Sequence, residues 1–315
     1  MTSFASTTDM AEKTITFGEI GQGLYAYTAE GDPNTGIIIG DESCMVIDAQ
    51  ATPLMAQDVM ARVRSVTDKP IKYVLLSHYH AVRVLGASAY GASEIIASAA
   101  TRDMITERGM EDMASEIGRF PRLFRGQESI PGLTWPTLTF DGRLTLWLGK
   151  RRVDIFQPGR GHTGGDTVAW VPDASVMFTG DLVEYRSACY CGDAYLAQWP
   201  QTLDAIAAYR PEAIMPGRGD ALVGVDKVNA AFAGTRAFLT ALYGTAEASV
   251  AKGMDLKQTY AAIRSAMDGP FGNYAIYEHC LPFNVSRAFD EARGIAHPRI
   301  WTDARDRQMW ADLQR

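Results

Sequence analysis

Short runs in which apolar positions are set off by polar turn residues fill the first part of the chain, at Gly23 to Tyr27, Gly36 to Ile39 and Cys44 to Asp48. Gly31-Asp32-Pro33-Asn34 reads as a turn between the first two, so a meander of short strands is predicted. The period then changes. Leu54, Met55, Val59, Met60 and Val63 recur at helical spacing, which predicts a helix over 52–66, ended by Asp68-Lys69-Pro70. A strand over Lys72 to Leu76 runs straight into Ser77-His78-Tyr79-His80, and a helix from Ala81 to Tyr90 and a strand starting at Ile95-Ile96 follow.

Residues 98–145 are less regular, with helical signals near 98–118 and then GRFPRLFRGQESIPGLTWP, which reads as a surface loop or lid. Strands resume at Leu144 to Leu148, Arg152 to Phe156, Thr167 to Val171 and Ser175 to Phe178, and helix Gln201 to Ala208 leads to strand Ala213 to Met215. From about Val225 the pattern is mostly helical, with a break at Gly269-Pro270-Phe271-Gly272 and another helix from Phe283 to Arg293. Strands, helix and loop thus recur once in each half, which predicts an α+β sandwich of two mixed β-sheets with outer helices. The expected organisation is a core over 1–222, with 98–143 as an insertion or lid, and a C-terminal helical extension over 223–315.

Composition narrows the function. Of 315 residues 47% are hydrophobic and 21% charged, enough to bury a full core. The 30 Lys+Arg against 37 Asp+Glu give a net charge of -7, so no basic face is available for a phosphate backbone and nucleic acid is not an expected partner. No apolar run approaches the roughly 20 residues that span a bilayer. The start MTSFASTTDMAEKT lacks the features of a signal peptide, so a cytoplasmic protein with no membrane partner is expected. Oligomeric state is left open. Cys44, Cys189, Cys191 and Cys280 contain no CxxC pair, which argues against a disulfide framework or a thiolate zinc knot. Cys189 and Cys191 are expected to be reduced and buried.

Three of the five histidines, His78, His80 and His162, follow predicted strands in loops flanked by small residues, where functional groups are displayed. His78 and His80 can both turn toward one metal ion. His162 lies in Gly159-Arg160-Gly161-His162-Thr163-Gly164-Gly165-Asp166, whose glycines permit close backbone approach, and Phe178-Thr179-Gly180-Asp181 is a strand ending in a carboxylate. Together these resemble the metallo-β-lactamase superfamily. Its signature is a His-x-His-x-Asp-His loop, a Gly-His-Thr-x-Gly loop, a strand ending in Gly-Asp and a final Gly-His, and order and spacing fit over residues 15–220.

The resemblance implies the metallo-β-lactamase fold, a first metal site made by His78, His80 and His162, and Asp181 as the carboxylate that bridges two metals in the family. It also implies that the second site is lost, because its three other ligand positions hold Val82, Arg83 and Arg218. One divalent metal is expected, zinc first, with iron or manganese open because nitrogen and oxygen ligands do not choose sharply. Arg83 and Arg218 are expected to occupy the second metal's space and to bind an anionic substrate group through their forked donors. The alternative is that each merely pairs with Asp181 or Asp166. Asp48, ending a strand, is expected as a hydrogen-bond acceptor behind the metal loop, or as a plain turn cap; Asp166 is expected to support the site in the same way. His279 and His297 have no partner motif and stay outside the site.

The function this implies is mononuclear metal-dependent hydrolysis of a small, carboxylate-bearing ester, lactone, thioester or amide, an aromatic acid among the candidates, with Asp181, Arg83 and Arg218 as catalytic residues. Val82 weakens it, since the family's aspartate there holds the attacking water. An iron dioxygenase, a lyase or decarboxylase, and a metal-free protein that binds a small anion therefore remain as alternatives.

Overall fold

The computed structural model describes residues 4–314. Seven strands form the first sheet in chain order: β1 (Thr16–Gly21), β2 (Leu24–Ala29), β3 (Asp32–Ile39), β4 (Cys44–Ile47), β5 (Ile71–Leu75), β6 (Glu94–Ser98) and β7 (Leu138–Phe140). β1 to β4 are antiparallel, and β4 to β7 are parallel. The second sheet holds β8 (Arg143–Leu148), β9 (Arg151–Phe156), β10 (Val168–Val171), β11 (Val176–Phe178), β12 (Ala213–Met215) and β13 (Leu222–Val223). Its pairing is antiparallel except between β11 and β12.

The parallel pairs need crossovers, which α1 (Pro53–Arg64), α3 (Ala99–Arg119) and α4 (Trp199–Ala207) supply, with the short α2 (Ala81–Val84) after β5. The two-residue side-chain period decides which layer each strand residue joins. Met45 and Ile47 pack between the sheets with Ile155, Val171 and Phe178, while Cys44 and Val46 face Ala56, Val59 and Val63 of α1. A third cluster joins the outer face of the second sheet to α5 (Val225–Ala251), α6 (Leu256–Phe271), α7 (Tyr277–Ala292) and α8 (Asp303–Gln314). The predicted sandwich with a helical C-terminal segment is what forms. No helix among the described residues is long and apolar enough to cross a membrane.

Four local readings change. Asp32-Pro33-Asn34 begins β3, and the corner sits one step earlier, where Glu30 and Gly31 take φ of 43° and 90°. Proline can open a strand because its missing N–H is not needed there. The stretch 118–136 is only in part a surface loop: Phe120, Leu123 and Phe124 are buried against Val82 and Tyr90, apolar burial prevailing over the Arg, Gly and Pro content, while 127–129 and Trp135 are exposed. The helix expected over 81–90 is interrupted at Gly86, whose added Cβ would lie 2.1 Å from the Ala49 carbonyl oxygen. Last, α6 runs through Gly269 and Pro270, and the chain breaks after Gly272.

Candidate metal centre

β5 feeds the loop carrying His78 and His80, the loop after β9 carries His162, and β11 leads into the 3-10 turn Gly180–Leu182 that carries Asp181. All four side chains are buried. The three rings meet edge to face with centroids 4.9, 4.5 and 4.7 Å apart, and one nitrogen of each lies within 4.8 Å of the others.

Their hydrogen-bond partners fix the tautomers. His162 Nδ1 lies 2.8 Å from the Tyr190 carbonyl, which only accepts, so the proton sits there and Nε2 is a bare lone pair. His80 Nε2 donates to Asp193 Oδ2 at 3.2 Å. The Ser77 hydroxyl donates to Asp48 Oδ2 at 2.8 Å, so its oxygen accepts from His78 Nδ1 at 2.9 Å. His78 Nε2 is then bare, buried and without a partner. The inward nitrogens are therefore His78 Nε2, His80 Nδ1 and His162 Nε2, the last two only 2.9 Å apart. Lone pairs that close repel unless a proton or a cation lies between them. Three such nitrogens, each backed by an acceptor on the far side of its ring, fit a divalent metal.

Charge distributes accordingly. Burial pushes His78 well down and His162 down to about 3, so both rings are neutral. Burial opposes a charge on His80 too, but its bond to Asp193 and the nearby carboxylates of Asp112, Asp193 and Glu116 together outweigh this and raise its pKa. Asp193 in turn falls to about 2 despite burial, because of His80 and then Arg108, which donates to Asp193 Oδ1 at 2.9 Å.

Asp48, at φ 61°, also accepts the Ser77 N–H at 2.9 Å, and burial pushes it up to about 6. Asp166 accepts the N–H groups of Gly161 and Thr163 and the Thr163 hydroxyl at 2.6 Å, so it shapes the glycine loop; burial lifts it to about 7.

The two arginines take different places. Arg83 is fully enclosed: it donates to Asp181 Oδ1, to the Gly217 carbonyl at 2.7 Å and to the Asn34 carbonyl at 2.9 Å, and lies 3.7 Å from Asp48. Arg218 donates to Asp181 Oδ2 at 2.9 Å and lies 3.6 Å from Glu184, whose buried oxygens have no hydrogen-bond partner. Burial alone would lift Asp181, but Arg83 and then Arg218 hold it well below the usual carboxylate range. Glu184 goes the other way, raised by burial and by Asp181. Asp181 Oδ2 lies 3.8 Å from His78 Nε2 and 3.6 Å from His162 Nε2. Gly217 allows this packing, since a Cβ there would fall 2.2 Å from Asp181 Oδ1.

A cavity of about 20 Å3 adjoins the site, lined by His80, His162, Asp181 and Arg218 together with Val82, Glu116 and Arg119; Arg83 does not reach it. That volume holds roughly one water molecule. His279 and Cys280 line its far side, so His279 stands at the site that the sequence reading kept it out of. Cys189 and Cys191 are buried free thiols, pushed up by burial. Sequence reasoning also missed Asp193, Glu116, Arg119 and Glu184. A signal existed for two of them: Arg108, Asp112, Glu116 and Arg119 recur at helical spacing, but such a polar stripe reads as a solvent face.

Residues 28–218 match the family model of the metallo-beta-lactamase superfamily. A type 2 metallo-beta-lactamase from Bacillus sp. (strain 170) is 23% identical over 220 residues, which are 65% of this chain and 77% of that protein. Among solved structures, a metallo-beta-lactamase from Pontibacter korlensis superposes with a TM-score of 0.58 at 18% identity, over 72% of this chain and 99% of its own. The stereoselective inverting sec-alkylsulfatase from Pseudomonas sp. superposes with a TM-score of 0.71 at 17% identity, over 90% of this chain; the chain spans 50% of that protein. The sheet order, the placement of the histidine loops and a family match over most of the chain lead to one conclusion: this chain belongs to the metallo-beta-lactamase superfamily.

Proposed function

We propose that the chain is a mononuclear metal-dependent hydrolase of a small anionic ester, lactone, thioester or amide, with one divalent ion, zinc first, on His78 Nε2, His80 Nδ1 and His162 Nε2. The observation that carries this reading is the set of three inward lone pairs, each ring anchored at its other nitrogen. When bound, the ion supplies a Lewis acid and a water acidic enough to ionise near neutral pH.

The chain's own residues do the rest. Asp181, kept anionic between two guanidiniums, is a weak base but a fixed hydrogen-bond acceptor beside the ion's position, suited to orienting an O–H group. Arg218 lines the cavity and meets the substrate's anionic group, while Arg83 holds Asp181 in place from behind. Val82, on the cavity wall, supplies no acceptor, which leaves the water to Asp181.

The test is metal-dependent hydrolysis across a panel of small acid esters, lactones and thioesters. Arg218→Ala should raise KM roughly tenfold, as expected for one lost charge-assisted contact. Turnover that survives complete removal of metal would sink the reading.

A further inference from the structure

The cavity beside the metal centre has room for about one water, so a larger substrate enters only where its wall gives way. Three of its wall residues, Phe120, Ile276 and His279, also line a second, more open pocket of about 210 Å3 on the outer side. Ile276, just before α7, is held at φ 55° and ψ 13°, left-handed backbone that a β-branched side chain adopts only under strain. The N-terminal segment straps the same wall: the Ser6 hydroxyl donates to the Arg119 carbonyl and accepts from His279 Nδ1. Tyr274 and Tyr277 complete an aromatic lining, and the rim carboxylates Asp9 and Glu278 are already paired, with Arg122 and Arg264.

We propose that Phe120, Ile276 and His279 form a gate, and that the outer pocket receives the apolar, flat body of an acid substrate whose charged end passes through to Arg218. This rests on the reading of the inner cavity as the active site. Ile276 is the element that stores strain in the closed state, and Ser6 is the latch between α3 and α7.

Cys280 reports the gate without any need for turnover, because its thiol is fully buried and lines the inner cavity. Native protein is treated with iodoacetamide, and alkylation of Cys280 is followed by peptide mass spectrometry, with Cys44, buried against α1, as the internal control. Ile276→Gly, Phe120→Ala and Ser6→Ala should each speed Cys280 labelling at least about tenfold while Cys44 stays as in the parent, the signature of local opening. Phenylacetate should slow Cys280 labelling in the parent, and acetate at the same concentration should not. Unchanged Cys280 rates in all three variants, or an equal rise at Cys44, overturn the gate; equal effects of the two acids overturn the apolar pocket. Labelling is followed without turnover, so failure of the gate leaves the metal reading standing, whereas gated labelling in a protein without metal-dependent turnover sinks the metal reading and leaves the gate.

Discussion

His80 Nδ1 and His162 Nε2 stand 2.9 Å apart with their far nitrogens bonded to Asp193 and to the Tyr190 carbonyl. Facing lone pairs at that distance repel unless a proton or a cation lies between them, and the raised pKa of His80 favours a proton there in the metal-free protein. The pair is thus suited to hold either a proton or a metal ion.

Elemental analysis of protein purified without chelators should find one divalent ion per chain and no second. Replacing His78 and His80 together by alanine should remove it, with modest loss of stability because the three hydrophobic clusters do not include these rings. Two tightly held ions per chain, or full metal content in the double variant, would contradict the assignment.

Metal uptake should expel a proton. The pKa of His80 is raised above its ordinary 6.5, whereas His78 and His162 are lowered, so of the three rings His80 holds a second proton to the highest pH. Metal competes with that proton, and affinity should rise with pH and level off above the raised value. Calorimetry near pH 6.5 in buffers of different ionisation enthalpy should show a proton released from His80 on metal uptake, with the bound water adding its own proton only at higher pH. Asp193→Asn removes the hydrogen bond that raises His80 most and should reduce the release near pH 6.5. No proton release near pH 6.5 would refute this.

How far the sequence carried can be stated residue by residue. The histidine loops were legible because each follows an apolar run and sits among small residues, and the inward pull of Arg83 and Arg218 followed from the family positions they hold. Asp193 was not legible, since nothing local marks a lone aspartate in 189–194 as the partner of a histidine 113 positions away. From Arg108 onward the pattern of α3 is inverted: Arg108, Asp112 and Arg119 are buried, while Met110 is 56% exposed. Amphipathic periodicity tells which residues share a face, but here the buried face is the charged one, because it packs on the polar site and not on a hydrophobic core.

Arg83→Ala should destabilise the fold by about 3–5 kcal/mol, the usual cost of leaving a buried carboxylate without its partner. Arg83→Lys should recover little, because one ammonium cannot fork to Asp181, Asn34 and Gly217 together. Urea denaturation of the two variants measures this; a loss under about 1 kcal/mol in Arg83→Ala would show that the clamp is incidental.

Restoring the family ligands with Val82→Asp, Arg83→His and Arg218→His should raise metal content to two ions per chain. The triple variant's melting temperature should then fall sharply on addition of a chelator, while the parent's should move far less. A triple variant that still takes up one ion would mean that the space left by the guanidiniums collapses.

Arg83 ties Asn34, in the first sheet, to Asp181 and Gly217, in the second half of the chain. A bound ion in that position could dissociate, and its occupancy would follow the supply of metal in the cell. A guanidinium is synthesised with the chain and never leaves. With one ion as proposed, the protein would have no half-loaded form to pass through or to guard against. During metal starvation it would lose its chemistry without losing its shape, and a single ion would restore it.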